Sequence, residues 1–432
     1  MSEYVREIKG EEYEELVAQH KGLTVLDFYS TECPPCEALA PKLDAVASLF
    51  NGQVSFLKIF RQENRELAQK LQVTGSPTLL FFRDGELLPQ RLHGGIKKAE
   101  IKAVLQQHVP AEVYEQAVAQ QMKRQTDVDL IIMGAGPAGL TAALYAAAAK
   151  ISTIVIDPQL AGGKAGITHQ VCNYPGFIKP VSGMELMYYF EEQAKVYGTQ
   201  MRLAVDIDAV DLDKKTVLLD GEETIQAKAI IIATGSHPRE IGVKGEKEYK
   251  GKGVSYCATC DGKHCEGKDV VVIGGGNSAI EESLFLTKFA RKLTIVHQFD
   301  TLQANKEAQE KIFADPKVEF LWNHEPREFV MGNAGSVDRV IVEDLKTGGK
   351  TALGCGMVFV FAGFDPNLDF APTLKLDKWG YALVDDQMQT NIPGVYACGD
   401  VNSKKIRQIT TAVSDGTIAA IAAGKYIDEL SG

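Results

Sequence analysis

Over residues 1–108 the apolar positions switch between two periods. Glu12 to Gln19 has helical spacing, Thr24 to Tyr29 is an apolar run of strand length, Glu37 to Phe50 is amphipathic with a helical period, and Val54 to Ile59 returns to strand. A short helix near Arg65 to Leu71 precedes a hairpin from Thr78 to Leu88 that turns at Asp84-Gly85, and Lys98 to His108 closes the series as a helix. Strands alternating with helices predict a small α/β domain. Residues 109–125 are polar and charged, with helical spacing over Glu112 to Lys123, and read as a linker long enough to let the first domain swing. The alternation then resumes. Val128 to Met133 predicts a strand, followed by a glycine-rich turn, a helix running to Ala149 and a strand at Ile154 to Ile156. The same order recurs at Val270 to Ile273, with a helix over Ala279 to Leu286 and a strand at Leu293 to Val296.

A length of 432 residues accommodates roughly three domains. With 45% hydrophobic and 24% charged residues, packed cores are expected and extensive disorder is not. The balance of 46 Lys and Arg against 57 Asp and Glu gives −11, which argues against a nucleic-acid partner. Met1 to Glu7 is acidic and lacks an apolar core, and the alanine-rich Ala142 to Ala149 is too short to cross a bilayer. A cytoplasmic protein without membrane association is therefore expected.

Eight cysteines are too few for a disulfide framework in a chain of this size. Four of them form two C-x-x-C pairs, Cys33-Pro34-Pro35-Cys36 and Cys257-Ala258-Thr259-Cys260. Such a pair closes and reopens as a disulfide, so it relays electrons. Asp261 adjoins the second pair and can carry the proton that a leaving thiolate takes up. Zinc would need both pairs, but they lie about 220 residues apart in segments that each read as complete folds, so no metal is expected. Cys172, Cys265, Cys355 and Cys398 are expected to be small buried hydrophobes.

Gly134-Ala135-Gly136-Pro137-Ala138-Gly139 sits between strand and helix. Asp157, 23 residues after Gly134, is placed for ribose hydroxyls. The glycines allow a tight turn and close approach of a pyrophosphate to the positive end of the helix. Gly274-Gly275-Gly276-Asn277-Ser278-Ala279 repeats the arrangement, so two dinucleotides are expected, FAD in the first and a nicotinamide nucleotide in the second.

Residues 1–108 resemble a thioredoxin domain on Cys33 to Cys36, Asp27, Lys58 and Gly75-Ser76-Pro77-Thr78. The resemblance implies that Cys33 attacks and Cys36 resolves. It also implies that Asp27 is a buried acid serving Cys36, with Lys58 beside it, and that a cis Pro77 packs against the disulfide. The family usually has Trp before the first cysteine and Gly-Pro between the two; this chain has Glu32 and Pro34-Pro35. Glu32 is expected to repel a thiolate, and the extra proline removes an N–H from the helix start.

From about residue 126 the chain resembles a low-molecular-weight thioredoxin reductase, and the likeness covers the rest of the sequence. Its motifs are the first glycine turn, Gly162-Gly163-Lys164, Asn173-Tyr174-Pro175-Gly176, Ala233-Thr234-Gly235, Cys257 to Asp261, and Gly394 to Asp400 followed by Arg407-Gln408. The implied fold is α/β: an N-terminal thioredoxin fold followed by tandem Rossmann-like domains. An FAD domain at 126–243 and 365–432 is split by an NAD(P) domain at 244–364 that carries the redox pair. FAD is expected on Gly134, Gly136, Gly139, Asp157, Gly162, Gly163, Asn173, Thr234, Gly235, Gly399, Asp400, Arg407 and Gln408. The nicotinamide nucleotide is expected on Gly274, Gly276, Asn277 and Ala279, with Cys260 nearer the flavin and Cys257 exchanging.

NADPH-using members carry an arginine clamp after the second turn. Here the positions read His297-Gln298-Phe299-Asp300 and Leu302-Gln303-Ala304-Asn305-Lys306, so NADH is favoured over NADPH. The alkyl hydroperoxide reductase flavoprotein subunit is a related NADH-using case. The expected function is a thioredoxin reductase fused to its thioredoxin. Electrons pass from NAD(P)H through FAD and Cys257/Cys260 to Cys33/Cys36, then to protein disulfides or a peroxiredoxin, in a homodimer. The alternatives are the same relay fed by a ferredoxin-type donor, and a thioredoxin-domain docking adaptor.

Overall fold

The computed structural model describes residues 4–31, 33–119, 123–168, 170–333 and 335–431. It divides into one unit of residues 1–166, 171–235 and 368–432 and another of residues 167–170 and 236–367.

The first unit begins with β1 (Arg6–Ile8), β2 (Leu23–Tyr29), α1 (Pro34–Leu49), β3 (Val54–Phe60), α2 (Arg65–Lys70), β4 (Thr78–Arg83), β5 (Glu86–His93) and α3 (Lys98–His108). The strands form one sheet in the order β1-β3-β2-β4-β5, with β1 and β2 parallel to β3 and the last three antiparallel. Central β2 is buried from Leu23 to Phe28 because both faces are covered. Val25, Leu79 and Phe81 face α1 and α3, while Leu26, Phe28, Leu80 and Phe82 face Tyr13 and Val17. The stretch Glu12 to Gln19 is not one α-helix. It forms a 3-10 turn at Gly10–Glu12 and a π turn at Glu14–Ala18, closed by Gln19 N donating to Glu14 O at 2.9 Å. The hairpin turn leaves no room beyond it, since a Cβ on Gly85 would strike Ala18.

Within the segment expected as a linker, α4 (Ala111–Ala119) buries Ala117 in the α1/α3 core, and Tyr114 packs 5.8 Å from Phe50. Next comes β6 (Arg124–Asp127), followed by β7 (Leu130–Met133), α5 (Pro137–Ala148), β8 (Thr153–Asp157), a helical turn at Gly163–Gly166 and α6 (Gly183–Val196). The chain continues through β9 (Gln200–Leu203), β10 (Ile207–Asp211), β11 (Thr216–Leu219), β12 (Glu223–Gln226) and β13 (Ala229–Ile232). A parallel sheet runs Val395–Ala397, β13, β7, β8, β9, and two of its three inner strands, β7 (Leu-Ile-Ile-Met) and β13 (Ala-Ile-Ile-Ile), are wholly buried. The closing helix Ile409–Ser431 crosses α5 closely; a Cβ on Gly416 would meet the Ala138 carbonyl. A smaller sheet runs β10-β11-β12-β6.

In the second unit a parallel sheet runs Val254–Ser255, Met357–Val360, Asp269–Ile273, Lys292–His297, Val318–Trp322. It carries α7 (Ala258–Asp261), α8 (Asn277–Leu286) and α9 (Lys306–Ala314), and a three-stranded antiparallel sheet spans residues 324–354. Among the described residues no helix is long and apolar enough to cross a membrane.

Glu223 holds β6 to the rest of its domain. It is 4% exposed and accepts from Thr126 Oγ1 at 2.7 Å, from Arg202 Nε and Nη2 at 3.0 and 3.1 Å, and from Arg124. Burial alone pushes its carboxyl up, but the bonds from Arg202, Thr126 and Arg124 outweigh this and hold it down at about 2. Its contribution is therefore complete above the ordinary carboxylate range and fades as pH falls towards 2. Glu223→Ala leaves Arg202 unpaired and should destabilise the protein by about 3–5 kcal/mol at pH 7, seen by circular dichroism as a lower urea midpoint. Between pH 4 and pH 2 the difference from the parent should shrink.

Candidate redox-active site

Cys33 is the N-cap of α1, and Pro34 and Pro35 fill the first two helical positions. Neither has an N–H, so the first backbone donor of the helix is Cys36 N, which is shared between the Cys33 carbonyl at 2.9 Å and Cys33 Sγ at 3.3 Å. The two cysteines form a disulfide with Cα atoms 5.2 Å apart, and each is 9% exposed. A helix start of this kind stabilises a thiolate on Cys33. Ser76–Pro77 is cis, and the Ser76 carbonyl lies 3.6 Å from Cys33 Sγ. Arg61 steadies that loop through Ser76 Oγ at 3.0 Å and Thr74 O at 3.3 Å. Glu32, expected to repel the thiolate, lies outside the described residues.

Asp27 lies on β2, the strand that leads towards Cys33, and is 5% exposed. Burial pushes its carboxyl up to about 7, against the pull of Lys58, which sits opposite it in register on β3. Its Oδ1 accepts no hydrogen bond from the described residues. A buried acid that titrates near neutrality can hold and release a proton. Lys58 is drawn aside by Glu7 at 3.2 Å and by the Tyr29 ring at 4.9 Å.

The first glycine turn is tight behind and open in front. A Cβ on Gly134 would strike the Ala233 carbonyl and crowd Thr234 N, and one on Gly139 would strike Gly134 O, whereas one on Gly136 meets nothing within 4 Å. Gly136 is the N-cap of α5, so the helix's free N–H groups face that opening, as a pyrophosphate requires. Both Asp157 oxygens accept backbone N–H groups, Oδ2 from Ala135 at 2.7 Å and Oδ1 from Gln159 at 2.8 Å, and each keeps a second lone pair. Gly162 and Gly163 both have positive φ, and Gly163 lies against Gly136. Asn173 donates to Gln408 at 3.0 Å, Lys164 pairs with Asp400 at 2.8 Å, and Arg407 lies 3.8 Å over the Tyr381 ring while donating to the Asp400 and Asn402 carbonyls. Gly399 N donates to Asp415, which also pairs with Lys404 at 2.6 Å. Gly235 has positive φ at the end of the segment that follows β13. The expected flavin set, including Thr234, thus belongs to one unit, and its backbone fits a dinucleotide.

The second unit repeats the design. Cys257 is the N-cap of α7, its sulfur accepts from Cys260 N at 3.1 Å, and the pair forms a disulfide with Cα atoms 5.4 Å apart. Asp261 Oδ2 accepts from Ser255 Oγ at 2.6 Å, and Ser255 Oγ also receives Cys257 N at 3.1 Å. Sequence reading missed Ser255, whose only signal was its place two residues before the pair. At the second glycine turn a Cβ on Gly274 would strike Phe361 O, one on Gly276 meets nothing, and Ala279 is buried in the core behind. Asn277 Oδ1 accepts Asn305 N at 2.7 Å, tying α8 to the start of α9. His297 is 5% exposed, lies against Gly275 and contacts Thr301 O at 3.1 Å. Burial holds its imidazole below the usual value.

Cys265, Cys355 and Cys398 are buried as expected, but Cys172 is exposed. Val171 pairs with Val181 and takes the inward position, so the next residue in extended backbone points out. Among the described residues no group of three His, Cys, Asp or Glu could hold a metal.

A family model described as pyridine nucleotide-disulphide oxidoreductase matches residues 128–416, and one described as thioredoxin matches residues 4–107. A 34.2 kDa protein in the rubredoxin operon of Clostridium pasteurianum is 46% identical over 308 residues, covering 71% of this chain and 99% of that protein. A thioredoxin reductase of Peptoclostridium acidaminophilum is also 46% identical over 308 residues, covering 69% and 97%. The crystal structure of Lactococcus lactis thioredoxin reductase in its FR conformation superposes with a TM-score of 0.67 at 38% identity, covering 70% of this chain and 99% of that one.

Asp27 has a folded pKa near 7, above its ordinary 3.8, so its burial is tolerated fully at low pH and opposes folding increasingly as pH rises from 3.8 through 7. Asp27→Asn should leave stability unchanged near pH 3. At pH 8.5 it should raise stability by a few kcal/mol, about 1.4 kcal/mol for each pH unit between the folded and ordinary midpoints, as thermal unfolding at the two pH values will show.

Proposed function

The chain belongs to the pyridine nucleotide-disulphide oxidoreductase family and carries a thioredoxin domain, and from that premise we propose that it is a thioredoxin reductase fused to its own thioredoxin. The observation that carries this reading is the recurrence of one device: two disulfides, each at a helix N-terminus, in a chain with two open glycine turns. When bound, FAD accepts a hydride from a nicotinamide and delivers two electrons to a disulfide. Gly134, Gly136 and Gly139 with the N-terminus of α5 would hold its pyrophosphate. Asp157 would take the ribose, and Asn173, Gln408, Asp400 and Arg407 would line the rest.

In the thiol steps, Cys257 thiolate attacks the Cys33–Cys36 disulfide and forms a mixed disulfide. Cys260 thiolate then attacks the Cys257 sulfur and displaces Cys33, re-forming the Cys257–Cys260 bond and leaving both sulfurs of the first pair reduced. Two electrons move, and the released thiolates take up two protons, with Asp261 and Asp27 as the acids beside the two pairs. Cys33 thiolate next attacks a client disulfide and Cys36 resolves it. Clients are protein disulfides, with a peroxiredoxin among them, and the setting is the cytoplasm. Exposed Met184, Tyr188, Tyr189, Val196 and Tyr197 on and just after α6 support a homodimer.

NADH is the donor on this reading. A 2′-phosphate needs cations, and His297 is buried and held neutral against Gly275, leaving Lys306 as the lone cation at the positions of the missing clamp. Anaerobic titration should bleach the flavin at least ten times faster with NADH than with NADPH. Equal rates would overturn the NADH assignment, and no bleaching by either would overturn nicotinamide as donor. Cys33→Ser should bleach normally yet lose insulin-disulfide turnover by roughly two orders of magnitude; retained turnover would refute the relay through the first pair.

A further inference from the structure

Lys42 has no role in the relay, yet it is among the most deeply buried charges in the first unit. It lies on α1 one turn after Ala38, is 6% exposed and has no carboxylate within salt-bridge distance among the described residues. Its ammonium donates to three backbone carbonyls: Ile96 at 2.8 Å in its own domain, and Leu203 and Ala204 at 3.1 Å each in the domain of the parallel sheet. Burial pulls the ammonium down to about 8 in spite of Asp220. The receiving backbone is specially shaped. Ala204 has φ +52, a left-handed conformation that alanine rarely adopts, and the turn aims two successive carbonyls at one cation.

Charge and packing continue the contact. Lys97 pairs with Asp206 at 2.7 Å, Lys98 with Glu222, and Glu37 with Lys195 of α6 at 3.2 Å. Ala38 packs against the α5 core, and a Cβ on Gly95 would come within 3.3 Å of Leu160. These contacts flank the disulfide on both sides. Glu37 and Ala38 directly follow Cys36, and the Gly94–Gly95 loop is tied to the cis-proline loop by Gly94 N donating to Pro77 O at 3.3 Å. A client protein reaching Cys33 needs those same flanks.

We propose that residues 203–206 and 220–222 together with α6 form a dock for the chain's own thioredoxin domain, and that the docked state withholds the face around Cys33–Cys36 from client proteins. Lys42 is the latch and Lys97, Lys98 and Glu37 are its charged rim. Release of the domain is then a step in every turnover with a protein disulfide. The consequence for clients rests on the exchange at Cys33 proposed above; the dock itself does not.

Zero-length carbodiimide cross-linking of the oxidised full-length holoenzyme, read by peptide mass spectrometry, tests the dock without any turnover. The parent should give intrachain Lys97–Asp206 and Lys195–Glu37 links, and Lys42→Met should lower both at least tenfold. Absence of the links in the parent, or links undiminished in Lys42→Met, overturns the dock. Lys97→Asp, read through Lys195–Glu37, supplies a second variant outside the buried site. It should weaken that link, and adding Asp206→Lys should restore it; failure of the pair to restore it counts against the charged rim. Insulin reduction should rise severalfold in the undocked variants. An unchanged rate with the links lost overturns the withholding of the face while leaving the dock, and the Cys33→Ser assay reports separately on the exchange.

Discussion

The first N–H groups of a helix have no partner within the helix, and this chain builds its chemistry on that fact four times. Each time a buried strand ends, the backbone turns, and a helix begins with its free donors facing outward. At α1 and α7 the donors face sulfur: Cys36 N meets Cys33 Sγ, and Cys260 N meets Cys257 Sγ. At α5 and α8 the N-cap is a glycine with open space before it, Gly136 and Gly276. One electrostatic feature therefore serves thiolate and phosphate alike, because both are anions at the positive end of a dipole. At α5, α7 and α8 the parallel sheets return each strand to the same edge and place the following helix start there, and at α1 the strand that leads in, β2, runs parallel to its neighbour β3.

The two kinds of site differ in what lies behind the turn. The nucleotide turns are pressed against backbone, Gly134 on Ala233 and Gly274 on Phe361, so that only glycine fits. The dithiol turns need no such closeness and carry prolines or small residues instead. At α1 the two prolines leave Cys36 N as the first donor, which focuses the helix end on one sulfur. Asp27 is the counterpart of that arrangement, an acid whose burial keeps it near its midpoint at neutral pH.

Buried charge is used elsewhere to join pieces of chain that are distant in sequence. Glu223 gathers Thr126, Arg124 and Arg202 from two other strands, and Lys42 gathers carbonyls from two domains. Such groups are costly when left alone, so they specify one arrangement over others that would bury similar apolar area.

Much of this was legible in the sequence, because it depends on local pattern. Apolar periodicity marked the strands and helices, the spacing of two thiols allowed only a disulfide or a metal, and a glycine turn between strand and helix admits few other uses. The missing arginines after His297 were equally plain. What depends on contacts between distant segments was not legible. The Glu12 to Gln19 helix broke into tighter and wider turns because the hairpin at Gly85 lies against its end. Cys172 faced out because its neighbour Val171 took the inward place. Ser255 became a partner of Asp261, and His297 was closed over Gly275, only once the sheet was formed. Nothing in the pattern around Lys42 distinguishes it from a solvated helix lysine. Its burial requires Leu203 and Ala204, some 160 residues later, to present their carbonyls. The sequence by itself determined the elements and the kind of chemistry, since both follow from residues a few positions apart. Only the tertiary structure decided which charges are buried, which thiols are covered and which domain faces are occupied, since these follow from surfaces that meet only after folding.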